Sequence, residues 1–345
     1  MKVALIAPPF IAVPPLEYGG TELFVAHLAS GLQKAHVEVV VFANGDSMPE
    51  APNRWIYAHS QWPIKSPEQA FIKELNHTSW AMRDATVDCD VIHIQSPQGL
   101  AFSRFIDVPI VLTIHGPHEA NLSDYYAHFP GAHYVAISDD QRKQEVMPKM
   151  STIHHGVDIS QYDFVEHKKK YLSFIGRIAP VKGVHIAIDV AKRTGIPLKI
   201  AGEVQPVHKD YFEQKIKPQI DNTLVEYIGP ADLSVKNDLL GNSMAMLFPV
   251  QWKEPFGLVM VEAMACGTPV LAMPGGSVPE VVRDGISGYV CKSVRQMANR
   301  ALDLNISPFV VRGYVEENFS IEKMVLQYVE VYGKAIREKN TDRAA

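Results

Sequence analysis

The chain has 345 residues, 47% hydrophobic and 21% charged, with a formal net charge of −5. That length predicts two domains, and the interspersed, slightly acidic charge excludes an electrostatic basis for nucleic-acid or anionic-membrane binding. No apolar run reaches the ~18 residues that span a bilayer, and the widely spaced Cys89, Cys266 and Cys291 argue against a disulfide framework.

The start, MKVALIAPPF, has too short an apolar core for a secretory leader and reads as a first strand over residues 3–7. A cytoplasmic location is expected. A Pro/Gly-rich loop, residues 8–20, leads to a helix over residues 21–34. There Leu23, Phe24, Ala26, His27, Leu28 and Leu32 recur at helical spacing. A strand over residues 37–42 completes a β–loop–α–β unit. Further strand-like runs follow at residues 91–94, 108–114 and 132–137. The polar stretch 158–170, ending in His167-Lys168-Lys169-Lys170, is expected to be a solvated linker.

The pattern restarts at Tyr171, with a strand over residues 172–175, a loop over 176–182, a helix over 184–193 and a strand over 198–201. Runs at 225–228, 245–249 and 268–272 follow. Near-continuous apolar strands separated by helical stretches predict parallel sheets covered on both faces. Two such sheets place ligands outside the strand C-termini, so a cleft between the domains is the expected site.

Several signatures are absent: the G-x-G-x-x-G dinucleotide fingerprint, the Walker A loop and the G-x-S-x-G elbow. Four segments do carry chemistry. In Tyr18-Gly19-Gly20-Thr21-Glu22 the paired glycines permit close backbone approach to a ligand, although a plain turn explains them equally. A strand ends in Thr113-Ile114-His115-Gly116, which points His115 at the expected cleft. His118, His128 and His133 follow at no zinc-like spacing, so surface or satisfied roles are expected for them. Gly176-Arg177-Ile178-Ala179-Pro180-Val181-Lys182-Gly183 is a strand-to-helix loop with two cations that suit a diphosphate, or plain surface charge.

The strongest signal is Glu254-Pro255-Phe256-Gly257-Leu258-Val259-Met260-Val261-Glu262. Pro255 suits a helix start, and the first-turn amides of residues 256–259 suit an anion. Glu254 beside an anion site fits a ligand with a sugar hydroxyl next to a phosphate. Glu262 falls in a strongly apolar helix, either buried with a partner or on its one exposed face.

Together these segments resemble glycosyltransferase family 4, retaining nucleotide-sugar transferases of the GT-B fold. EPFGLVMVEAMACGTPV followed by GGSVPEVVRDGISGYV is highly specific to that group. The Trp252-Lys253-Glu254-Pro255-Phe256-Gly257 form looks like a bacterial branch that includes pterin glucosyltransferases. The implied fold is α/β, two Rossmann-like doubly wound domains facing a central cleft. Residues 1–160 would form the acceptor side and 161–320 the donor side, with a C-terminal helix in 321–345 crossing back to the first domain.

The resemblance also implies roles. Arg177 and Lys182 would grip the donor diphosphate, in the loop opened by Gly176. The amides of Phe256, Gly257, Leu258 and Val259, with Gly19 and Gly20, would contact phosphate or hexose. Glu254 would bind the transferred sugar, Glu262 the ribose, and Tyr227 and Ile228 would flank the base. His115 would serve the reacting centre. No metal or other cofactor is implied, because protein cations replace it; Asp88-Cys89-Asp90 reads as a strand-entry turn. The expected partners are a nucleotide sugar, with UDP-glucose the first choice, and a small-molecule, glycan or lipid-linked acceptor. Loops 44–68 and 116–131, with Trp55, Tyr57, Trp62, Tyr125, Tyr126 and Phe129, would read that acceptor, or the aromatics would anchor the loops. An epimerase or hydrolase on the same fold, or a two-lobed binding protein without chemistry, are the alternatives.

Overall fold

The computed structural model describes residues 1–16 and 19–344. The chain forms two compact units: Met1–Gly156 with the chain from Ile321 onward, and Val157–Ser320. The first holds β1 (Lys2–Ile6), β2 (Glu38–Phe42), β3 (Asn53–Arg54), β4 (Val91–Ile94), β5 (Ile110–Ile114), β6 (His133–Ala136) and β7 (Met150–Thr152). Their order is β3-β2-β1-β4-β5-β6-β7, with parallel pairing throughout the described strands.

The apolar runs are continuous because both faces of this sheet are covered. Side chains alternate between faces. Val3 and Leu5 pack with Phe24, Leu28 and Leu32 of the helix Gly20–Lys34. Ala4 and Ile6 pack on the other side with Ala81 and Met82 of the helix Pro67–Ala85. The C-terminal helix, Ile321–Ala344, lays Ile321, Met324, Val325, Tyr328, Val331, Tyr332 and Ala335 into the first of these cores. Those positions are one face of a 3.6-residue period.

The second unit holds β8 (Lys169–Ile175), β9 (Leu198–Ala201), β10 (Val225–Gly229), β11 (Ser243–Phe248), β12 (Val270–Ala272) and β13 (Gly288–Val290). Their order is β10-β9-β8-β11-β12-β13, again parallel. Leu172 and Phe174 of β8 pack on Val184, Ala187, Ile188 and Ala191 of the helix Val184–Thr194. In each sheet the strand order reverses beside the first strand, between β1 and β4 and between β8 and β11. A doubly wound sheet opens its ligand crevice at such a switch point.

The structure corrects two expectations here. In the stretch 158–170, His167, Lys169 and Lys170 are exposed as expected, but the stretch is not solvated throughout. Tyr162 within it is buried, and Lys168 turns inward. Lys168 Nζ donates to the Gly241 and Cys266 carbonyls at 2.8 and 2.9 Å and to Thr268 Oγ1 at 2.9 Å, and desolvation lowers its pKa to about 8. The units divide before this stretch, between Gly156 and Val157. The strands β3, β7 and β13, of two or three residues each, are additional to those expected.

Asp88 and Asp90 sit at the strand N-terminal ends. Asp88 pairs with Lys2 Nζ at 2.5 Å and Arg54 at 2.9 Å, and Asp90 accepts from the Lys2 amide at 2.7 Å.

Candidate functional site

In the second unit, the loops leaving β8 and β11 carry the charged groups. The β8 loop runs through Gly176, Arg177 and a single 3-10 turn, Pro180–Lys182, before the helix Val184–Thr194. The Gln251 amide donates to the Val181 carbonyl at 2.7 Å, tying this loop to the one after β11. Across that tie Lys182 Nζ reaches Glu254 Oε2 at 2.5 Å. The indole Nε1 of Trp252 donates to the same oxygen at 2.8 Å. The Lys182 ammonium also lies 4.9 Å from the Trp252 ring centre.

Glu254 is 7% exposed, so this carboxylate is buried with its countercharge in place. Its backbone rests on the turn at Gly275–Gly276. A Cβ at Gly276, whose φ is +57°, would stand 2.2 Å from the Glu254 carbonyl oxygen, so only glycine fits. Arg177 is half-buried, and among the described residues its guanidinium has no ion-paired or hydrogen-bonded partner.

The helix that follows spans Leu258–Ala265, three residues later than Pro255 suggests. Gly257 takes φ +80°, a left-handed conformation that cannot continue a right-handed helix backward. The amides of Phe256 and Gly257 therefore belong to the entry loop, and those of Leu258 and Val259 open the first turn.

Glu262 is 2% exposed, which removes the exposed-face alternative. Lys236 Nζ contacts its Oε1 at 3.0 Å and Oε2 at 3.1 Å, and the Tyr162 hydroxyl donates to Oε1 at 3.1 Å. A carboxylate oxygen carries two acceptor positions. Oε2, with one donor, can still accept a ligand hydroxyl. Lys236 and Tyr162 lie outside the conspicuous motif and have no sequence mark of their own. At the end of β10, Tyr227 donates to the Gly202 carbonyl at 2.7 Å, while Ile228 is exposed.

In the first unit, Gly19 caps the helix Gly20–Lys34 and is buried, and the space beside Gly20 is open. Tyr18 lies outside the described residues. Glu22 is buried, and desolvation, with the Glu74 charge adding to it, raises its pKa to about 7.

His115 follows β5 as expected. Its ring stacks on His155 at 5.5 Å and 19°, and its Nε2 meets Gln95 Oε1 at 2.8 Å. Burial pushes its pKa down to about 3, so the imidazole is neutral near pH 7. Gln95 Oε1 can only accept, so Nε2 carries the hydrogen and Nδ1 the lone pair.

His118 meets Glu145 Oε1 at 2.9 Å, His133 lies 3.3 Å from Glu338, and His128 is exposed. The loop aromatics divide. Tyr126 and Phe129 are buried anchors, whose carbonyls accept from Tyr134, whereas Trp55 and Trp62 are each 49% exposed. Among the described residues no helix is long and apolar enough to cross a membrane.

Residues 159–306 match the family model described as Glycosyl transferases group 1, and residues 18–161 match the one described as Glycosyltransferase Family 4. Spore coat protein SA of Bacillus subtilis strain 168 is 23% identical over 388 residues, covering 97% of this chain and 100% of that protein. AviGT4, a glycosyltransferase involved in avilamycin A biosynthesis, superposes with a TM-score of 0.74 at 25% identity, covering 98% of both chains. Anabaena HepE, solved with UDP-glucose, superposes with a TM-score of 0.75 at 17% identity, covering 97% of this chain and 100% of that one.

Proposed function

The chain belongs to the family 4 type of glycosyltransferases with the GT-B fold and transfers a glycosyl group from a nucleotide sugar; we propose that the group is a hexose, the donor UDP-glucose or a close relative, the anomeric configuration retained and no metal required. The observation that carries this reading is the meeting of Lys182 and the buried Glu254 at the β8/β11 switch point, with Arg177, unpartnered among the described residues, in the same loop as Lys182. Two cations answer a diphosphate, and a buried carboxylate beside them answers a sugar hydroxyl. The UDP-glucose bound by Anabaena HepE supports the choice of donor.

In this mechanism Arg177 and Lys182 stabilise the charge that develops on the departing diphosphate. Glu254 accepts from a hydroxyl of the transferred sugar. Glu262 accepts from the ribose through Oε2, and the base lies along Tyr227 and Ile228. The amides of Phe256, Gly257, Leu258 and Val259 contact phosphate or hexose, with Gly176 opening the clamp loop. Gly19 and Gly20 are the proposed donor contacts of the first unit, and His115 the proposed contributor at the reacting centre. The bond from the anomeric carbon to the phosphate oxygen breaks while the bond to the acceptor oxygen forms on the same face. The acceptor's hydroxyl proton passes to the departing phosphate oxygen. No carboxylate nucleophile is used, unlike the double-displacement route to retention. The acceptor is a small molecule, glycan or lipid-linked sugar read by the first unit's loops, where Trp55 and Trp62 are exposed.

Thermal unfolding with UDP, GDP, ADP and dTDP, each with and without EDTA, tests the reading. A nucleotide at about 100 Kd adds about 2.7 kcal/mol to the native state. UDP should raise the midpoint by several degrees whether or not EDTA is present. A shift abolished by EDTA would overturn metal independence. Indifference to all four nucleotides and to UDP-glucose would overturn the donor site.

A further inference from the structure

Trp252 has two contacts that the donor reading does not use. Its indole N–H donates to Glu254 Oε2 at 2.8 Å, and its ring face stands 4.9 Å from the Lys182 ammonium. Lys182 reaches the same Oε2 at 2.5 Å. One carboxylate oxygen thus takes both donors, and among the described residues Oε1 has no hydrogen-bond partner.

We propose that Trp252 is a positioning residue that sets sugar recognition, by pinning Glu254 with Oε2 on Lys182 and Oε1 free for a hydroxyl of the transferred sugar. The inference rests on the donor reading above. Its physical basis is that a carboxylate paired with an ammonium alone is free to rotate, because a point charge with three donors fixes no direction. A second, directional donor on the same oxygen breaks that equivalence. The planar indole provides the direction and, through its π face, also holds the ammonium. Phenylalanine would keep the face and lose the donor. The backbone cannot compensate, because the Glu254 main chain is already fixed by the Ser277 amide, which donates to its carbonyl at 2.9 Å.

The consequence is a division of labour within one ligand. The diphosphate is gripped by Arg177 and Lys182 with or without the indole N–H. The sugar is recognised through Oε1, whose placement depends on it. Loss of the N–H therefore lowers affinity for the nucleotide sugar and spares affinity for the nucleotide.

Calorimetric titration of the wild type, Trp252→Phe and Trp252→His with UDP and UDP-glucose tests this. In Trp252→Phe the ratio of UDP-glucose to UDP affinity should fall about tenfold, the scale of one hydrogen bond to a charged group. The UDP affinity itself should stay within about threefold, and Trp252→His, which restores a ring N–H, should recover part of the ratio. An unchanged ratio, or an equal loss for both ligands, would overturn the proposal and leave the donor reading standing. A wild type that binds neither ligand would overturn both. If the variants do not fold, the indole N–H resonances of wild-type Trp55, Trp62, Trp80 and Trp252 decide. The Trp252 signal should move further with UDP-glucose than with UDP, and equal shifts would refute the role.

Discussion

The two units wind their strands by one scheme and bury opposite kinds of polar group beside the reversal of strand order. The second unit buries charge. Glu254 is held by Lys182, and Glu262 by Lys236, each carboxylate nearly sealed from solvent. The first unit gathers neutral rings, with His93 and His155 buried and His115 half-buried. His93, His115 and His155 pack around Phe24 with Tyr328, and each imidazole is driven by burial toward its uncharged form. Under the proposed diphosphate role the cations are already in place, Lys182 countered by Glu254 and Arg177 without a partner among the described residues. A layer that seats a helix on a sheet needs direction from its hydrogen bonds and no net charge. The fold is shared, and the chemistry is written by the side chains placed on it.

The sharpest way to break this comparison is to remove one partner of a buried pair. Lys236→Met leaves the Glu262 carboxylate buried with only Tyr162 beside it. The unfolding free energy should drop by about 3–5 kcal/mol, the usual cost of an uncompensated buried charge. Adding Glu262→Gln should return much of it. Urea unfolding of the single and double variants measures both, and a loss under 1 kcal/mol for Lys236→Met would show that the pair is not effectively buried. Arg177→Ala is the complementary case. That guanidinium has no protein partner among the described residues, so its loss should leave the melting midpoint nearly unchanged while kcat falls about 10²–10³-fold. A threefold effect or less would contradict its role at the leaving group.

Much of this contrast was legible in the sequence on the donor side and little of it on the other. Arg177, Lys182 and Glu254 stand in loops bounded by apolar runs, where a charged residue is conspicuous. The meeting of Lys182 with Glu254 follows from the strand order, because the loops after β8 and β11 flank the reversal, and Arg177 stands in the same loop as Lys182. The burial of Glu262 was not legible. Residues 259–265 are otherwise apolar all round, so no polar stripe phases the helix and its one glutamate has no predictable face. Its partner Lys236 comes from a different helix, Leu233–Asn242, and nothing local in sequence announces that pairing. The short strands β3, β7 and β13 escaped for a related reason, since two or three residues cannot display a period of two. The histidine layer was invisible because His93 and Thr113 meet only through the pairing of β4 with β5, and Tyr328 joins them only through packing of the C-terminal helix.

Acid should act on the first unit before the second. His77, His93 and His115 are lowered by burial to about 4, 3 and 3 from an unfolded value near 6.5. Below pH 6.5 the unfolded chain therefore binds more protons than the native one, and stability present above that pH is lost as pH falls. At pH 5.5 each contributes a loss of about 1.4 kcal/mol. Glu22 acts in the opposite sense. Its pKa is raised to about 7, so the native state takes up a proton that the unfolded carboxylate takes only near 4.5, returning about 2 kcal/mol over the same interval. For these four groups the net expectation is a loss of about 2 kcal/mol between pH 7.5 and 5.5, and His155, also lowered by burial, adds to that loss. It should grow in Glu22→Gln and shrink in His115→Gln, as read by urea unfolding at each pH. A stability that rises on acidification in all three proteins would mean that the histidine layer is hydrated.

The smallest expected effect tests the neutral half of the comparison most directly. Tyr332 OH meets His93 Nδ1 at 2.7 Å, His93 Nε2 meets Thr113 Oγ1 at 2.8 Å, and Thr113 Oγ1 meets Tyr328 OH at 2.9 Å. This relay runs from the C-terminal helix through β4 and β5 and back to the same helix. Tyr328→Phe removes its last member and keeps the ring, which still packs 5.7 Å from Phe24 and 5.2 Å from His93. Thr113 retains His93 as a partner, so no buried group is stranded. The cost should be about 1 kcal/mol, that of one neutral hydrogen bond. Equilibrium unfolding can place this value beside the 3–5 kcal/mol expected of Lys236→Met. A severalfold gap between the two follows only if the Lys236–Glu262 pair is charged and the His93 relay is not. Equal losses would mean that the relay is as charge-dependent as the ion pairs, with an imidazole protonated where burial should forbid it.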